Sequence, residues 1–196
     1  MNDHPLRCRC GTVKGFVTRP GAATRAICYC KDCQAFARFL GRTDAVLDVN
    51  GGTPIVATLP GGVHFTQGIE SLRCMSLSPR GLLRWYAGCC NTPIGNTPRN
   101  YRMPYIGLVE TCLHSDSPTL QQSFGPVRMV VNTGSSRGPV PTMPLGTLLS
   151  LVRVMGAVIG ARLSGAYRRT PLYDPATGVP RVAPRELTLT ERRDLY

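Results

Sequence analysis

The stretch Cys28-Tyr29-Cys30-Lys31-Asp32-Cys33 decides how the rest of the chain is read. It places three thiols within six residues. Cys28 and Cys30 are two apart, so on an extended strand they face the same side. Cys33 follows at the spacing a tight turn needs to bring two sulfurs onto one ion. Buried free cysteines are common one at a time. A C-x-C-x-x-C run beside two further clusters, Cys8-Arg9-Cys10 and Cys89-Cys90, reads instead as metal ligation.

The clustered cysteines divide into a group of four and a group of three. A closed structural zinc takes four protein ligands, and a catalytic zinc takes three and keeps one position for water or substrate. The natural partition puts Cys8, Cys10, Cys89 and Cys90 in a closed site. Cys28, Cys30 and Cys33 then form an open one, the candidate catalytic position. All-sulfur ligation favours zinc over hard cations, with iron–sulfur as the lesser alternative, so two zinc ions per chain are expected. Neighbouring residues on a strand face opposite sides. Cys89 and Cys90 therefore share an ion only if the chain turns there; otherwise Cys89 points at the second site and closes it. Cys74 and Cys112 stand alone and read as small buried hydrophobes. His4, His64 and His114 have no ligand-like spacing to the clusters, and His64 reads as structural.

The 196 residues are enough for one domain with an extension or for two small domains. The net charge is +12, almost wholly from arginine, since Lys14 and Lys31 are the only lysines. The arginines are scattered, with no dense basic run. Solubility is the first reading of that charge, an anionic small molecule the second and nucleic acid the third. The odd count of nine cysteines and the start Met1-Asn2-Asp3-His4-Pro5, without a secretory pattern, point to reduced thiols in the cytoplasm.

Along the chain the pattern is mainly β. Thr12–Thr18 and Thr24–Cys28 read as strands, and Asp32–Leu40 as a short helix ended by Gly41. Val46, Leu47 and Val49 read as a strand entering the Asn50-Gly51-Gly52 turn. The runs 69–77 and 82–87 read as a hairpin around Pro79-Arg80-Gly81. Asn132–Pro139 is a linker by composition. Leu145, Leu148, Leu149, Val152, Met155, Ile159 and Leu163 follow helical spacing. That helix contains Arg153 and several glycines, so it reads as a buried helix and not as a membrane span. Gly156 and Gly160 read as core-packing positions within it. Thr188 and Glu191 have capping-box spacing for a last short helix. Two units are expected: a zinc-binding β domain over 1–134, and a linker with a helical C-terminal extension over 135–196.

The motifs resemble those of the glutathione-dependent formaldehyde-activating enzymes and their centromere protein V-like relatives. Cys8-Arg9-Cys10-Gly11 matches the family's first motif. Cys28 to Cys33 followed by Gln34 matches the second. Arg84-Trp85-Tyr86 and Cys90-Asn91-Thr92-Pro93 match the third and the run before it. The resemblance spans roughly Leu6 to Pro98. It implies a tent-like zinc-binding β fold, with Cys8, Cys10 and the late cysteines on the structural zinc and Cys28, Cys30 and Cys33 on the catalytic one. The chain departs from the pattern at Ala87, where the first late cysteine would fall, and at Asn91, which replaces a glycine. The first site is then rebuilt with Cys89, or it has only three protein thiols.

By this resemblance the expected activity is a carbon–sulfur lyase step on a thiol–aldehyde adduct such as S-hydroxymethylglutathione, with a small thiol such as glutathione as ligand. The scattered arginines, Arg38 and Arg42 among them, are candidates for its carboxylates. No carboxylate or histidine stands at telling spacing for a general base, so no catalytic residue is named. The alternative is a non-catalytic zinc module that binds an acidic partner or nucleic acid. A third reading is a homo-oligomer assembled through the C-terminal helix.

Overall fold

A computed structural model describes residues 3–196. The chain is mainly β. Its strands are β1 (His4–Arg7), β2 (Lys14–Val17), β3 (Thr24–Cys28), β4 (Thr53–Thr58), β5 (Val63–Gln67), β6 (Leu72–Ser76), β7 (Leu83–Ala87), β8 (Thr92–Thr97), β9 (Ile106–Val109), β10 (Val127–Val131) and β11 (Arg185–Glu186). Its helices are α1 (Lys31–Phe39), α2 (Thr43–Val46), α3 (Leu120–Phe124), α4 (Pro144–Leu163) and α5 (Leu189–Arg193). A small sheet has the order β1-β2-β5, and a large one the order β10-β3-β4-β9-β8-β7-β6-β11. Thus β4 and β5 straddle Pro60-Gly61-Gly62 but enter different sheets.

One apolar core lies between the sheets. Leu6, Val17 and Val63 from the small sheet meet Val56, Leu83, Ile94 and Leu108 from the large one. Trp85 is fully buried there, and its indole N–H donates to Thr97 Oγ1 at 2.9 Å. The Tyr173 ring stands edge-on to it at 6.0 Å, and the Tyr173 hydroxyl donates to the Pro98 carbonyl at 2.6 Å. The C-terminal segment thus inserts Leu172 and Tyr173 into the same core. It also adds β11 in parallel beside β6. Helix α1 packs Ala35, Phe36 and Leu40 against Met75 and Leu77 beside the sheet. Gly41, at φ +63, ends the helix in a conformation that favours glycine.

Several expectations need correction. Val46 closes the short helix α2 instead of starting a strand, and Val49 is 91% exposed. The Asp48 carboxylate accepts from the Asn50 and Gly52 amides at 2.9 and 2.8 Å, which bends the chain before any ladder can form. Cys8 and Cys10 lie just past the end of β1, in a turn. The linker-like stretch is fastened at its middle: Gln34 Nε2 donates to the Ser135 carbonyl, and the Arg137 amide to that of Asn50.

The largest correction concerns α4. It has the expected helical spacing, but Leu145, Leu148, Leu149, Val152, Met155, Ile159 and Leu163 are exposed, and only Ser150, Val158 and Ala161 are buried. The helix docks its small-residue side, so its apolar stripe faces outward. Gly156 and Gly160 also point into open space, not into the core. In length and composition α4 is apolar enough to cross a membrane. The capping box at Thr188 and Glu191 is present at the start of α5.

Because Tyr173 belongs to the main core, the C-terminal segment should unfold with the β domain. Tyr173→Ala is expected to destabilise the whole chain by about 3 to 5 kcal/mol. Urea denaturation followed by Trp85 fluorescence reads this directly, and a loss below about 1 kcal/mol would show a segment outside the cooperative unit.

Candidate metal centre

The first cluster is built by two turns. After β1, Gly11 at φ +79 reverses the chain, and the Gly11 amide donates to the Cys8 carbonyl at 3.0 Å. The Val13 amide then donates to Cys8 Sγ at 3.2 Å. The second turn joins β7 to β8 and carries Cys89 and Cys90. Asn91 adopts φ +53 there, a left-handed conformation that asparagine tolerates better than most residues. The turn removes the strand alternation, so Cys89 and Cys90 face the same neighbours.

The sulfurs of Cys8, Cys10, Cys89 and Cys90 all lie within 4.8 Å of one another. Cys8 to Cys10 is 3.5 Å, Cys10 to Cys89 is 3.3 Å, and Cys89 lies 3.8 Å from both Cys8 and Cys90. A tetrahedral ion with metal–sulfur bonds of about 2.3 Å would set its ligands about 3.8 Å apart. The four thiols therefore fit a soft tetrahedral ion. Thr12 Oγ1 lies 3.2 Å from Cys10 Sγ, and Thr92 Oγ1 lies 3.1 Å from Cys90 Sγ. Hydrogen bonds from Thr12, then from Cys89, bring the Cys10 thiol down to about 6.

The second cluster is local. Cys28 ends β3, Cys30 caps the N-terminus of α1, and Cys33 sits in the first helical turn. Their sulfurs also lie within 4.8 Å of one another, with no fourth ligand of this kind among the described residues. The Cys33 amide donates to Cys30 Sγ, and Asn132 Nδ2 to Cys28 Sγ, both at 3.3 Å. Hydrogen bonds from the Cys30 and Cys33 thiols hold Cys28 well below the usual thiol range. Those same bonds, with burial, push Cys33 well above it.

Sequence reading quoted Arg84 only as part of a motif and gave it no role. It is 1% exposed. Its Nη1 lies 3.9 Å from Cys33 Sγ and donates to Asn96 Oδ1 at 3.2 Å, while Nη2 pairs with Asp32 at 3.7 Å. The guanidinium also lies over the Phe36 ring. Tyr105 was missed altogether. Burial, then the negative charge of Cys28 and Cys33, pushes its hydroxyl up to about 12, so it remains a donor. Arg84 has no local sequence signal for this role, because β7 meets the cluster only through the tertiary fold.

The remaining candidates lie elsewhere. Arg38 donates to the Leu195 carbonyl at 2.5 Å. Arg42 lines a cavity of about 590 Å³ beside Cys8, together with Arg7, Arg9 and His114. Cys74 and Cys112 are buried, and burial raises the thiol of each. His4 is buried between Ser123 Oγ and the Leu113 carbonyl, at 2.8 and 2.6 Å. His64 stacks on Phe16.

The chain matches DUF6151, a family of unknown function, over residues 2–183, and it belongs to that family. Among solved structures, the crystal structure of a Rhodobacter sphaeroides protein from Northeast Structural Genomics is similar at 18% identity. The match covers 65% of this chain and 99% of that one, with a TM-score of 0.41. No curated protein matches the chain.

The first cluster ties turns from two sheets, whereas the second ties a strand end to the helix that follows it. Loss of the first should cost more stability. Replacing Cys8 and Cys10 by serine is expected to remove one bound ion and about 3 kcal/mol or more of stability. Replacing Cys28 and Cys30 should remove the other ion at a smaller cost. Elemental analysis with thermal melts checks both. Ion loss on acidification follows the same logic, since protons displace metal from thiolates as pH falls.

Proposed function

For this member of DUF6151, we propose a two-zinc protein whose three-cysteine centre makes or breaks the carbon–sulfur bond of a thiol–aldehyde adduct such as S-hydroxymethylglutathione. The observation that carries this reading is the difference between the clusters. Four sulfurs match a closed tetrahedral site, while Cys28, Cys30 and Cys33 leave one position to a ligand from outside. The resemblance of the cysteine motifs to the formaldehyde-activating and centromere protein V-like family supports the same reading.

Three thiolates around a divalent zinc carry a net charge of about −1. Arg84, buried beside Cys33, supplies the compensating positive charge. Asn132 holds Cys28 as an acceptor. When bound, zinc supplies a soft Lewis acid that lowers the pKa of an added thiol. Breaking the adduct moves the C–S electron pair onto sulfur. The adduct hydroxyl gives up its proton to solvent water as the aldehyde carbonyl forms, so the products are a thiolate, the aldehyde and a proton. Tyr105 keeps its proton, because burial pushes its hydroxyl up to about 12. Thr53 pairs across the sheet with Cys28, so both side chains leave the same face. Its hydroxyl is buried with no hydrogen-bond partner, and a bound ligand or water would supply one.

A second reading, a zinc module for an acidic partner, is favoured by the cavity lined by Arg7, Arg9 and Arg42 beside the closed site. The two readings separate on thiol binding. In cobalt-substituted protein, glutathione should add a sulfur-to-cobalt charge-transfer band that saturates at one thiol per chain. Cys30→Ser should abolish it, and Cys10→Ser should not. An unchanged spectrum would overturn the catalytic reading.

A further inference from the structure

Helix α4 carries an interaction surface that the metal chemistry does not use. We propose that its outward face lies on an anionic lipid bilayer, parallel to the membrane plane. The helix has 20 residues and is about 30 Å long. Leu145, Leu149, Val152, Ile159 and Leu163 are between 51% and 83% exposed along one side. Exposed apolar area of this extent on a single helix marks a partner or a membrane.

Charge selects the membrane. Residues 117–173 contain no aspartate or glutamate, and they carry Arg128, Arg137, Arg153, Arg162, Arg168 and Arg169. All six arginines are exposed. Arg153 and Arg162 lie on opposite flanks of the apolar stripe at helical spacing, and the stem of Arg162 can run along the apolar boundary so that its head reaches phosphates. A second copy of this chain would bring the same cations with no carboxylate to receive them.

The other side of the helix is held by the protein, so the helix lies flat and does not cross. Thr147 Oγ1 accepts from the Val130 amide at 3.3 Å, and Arg153 Nη2 donates to the Gly21 carbonyl at 2.8 Å. Val158 and Ala161 are buried against the body. Beneath them lies a cavity of about 190 Å³ lined by Arg19, Arg153 and Arg169. The inference stands on α4 alone and does not rest on the zinc reading.

Vesicle flotation of the full chain tests it. The chain should float with phosphatidylcholine vesicles containing phosphatidylglycerol, and it should be released as salt is raised. Leu149→Glu with Leu163→Glu should lower the bound fraction about tenfold or more, because two charges enter the apolar contact. Leu189→Glu, a similarly exposed leucine on α5, should leave flotation unchanged. Trp85 fluorescence and a thermal midpoint equal to the parent protein's certify the fold of each variant. Three outcomes would overturn the proposal. One is no flotation. Another is flotation that the double variant does not reduce. The third is a stable dimer without vesicle binding that the double variant converts to monomer, which would show that a second copy covers the face.

Discussion

Four sulfurs from two turns meet at one point, and this convergence fixes how the two sheets are joined at their edge. Cys8 and Cys10 follow a strand of the small sheet, and Cys89 and Cys90 link two strands of the large one. Nearly eighty residues separate the pairs in sequence. An ion held between them would close a long loop, which constrains the unfolded chain more than a short closure does. The turn geometry that allows it is specific. Gly11 and Asn91 both take left-handed backbone conformations, and each places a cysteine pair toward the other.

The second cluster depends on charge compensation more than on closure. Three buried or half-buried sulfurs at a strand-to-helix junction gather negative charge where water is scarce. The N-terminus of α1 and the buried guanidinium of Arg84 answer that charge from two directions. Arg84 is itself held by Asn96, Asp32 and the face of Phe36, so its position is set before any ligand arrives. The same packing of α1 on β6 and β7 supplies part of the apolar core. Fold and site therefore share residues, and a change at Phe36 or Arg84 acts on both.

The cysteine clusters and the β character were legible in the sequence because they are local. Spacing of two or three residues places thiols together whatever the tertiary fold. The grouping of Cys89 with Cys8, Cys10 and Cys90 was the natural partition of the thiols, but strand alternation left open that Cys89 faced the other cluster, and the turn at Asn91 removes that alternation. The role of Arg84 was invisible for a related reason: it reaches Cys33 through packing distant in sequence. Helix α4 shows the limit of periodicity. The spacing of its leucines located an apolar stripe but not the direction it faces. Small side chains at Ser150, Val158 and Ala161 allow close docking on the body, and the leucines are left outside.

X-ray absorption on protein purified without added metal is the most direct test of the central claim, that the two clusters hold zinc in different coordination. The account predicts two zinc ions per chain and a mean sulfur count midway between three and four, with a light oxygen or nitrogen ligand making up the remainder. One ion per chain, or two ions with four sulfurs each, would contradict it.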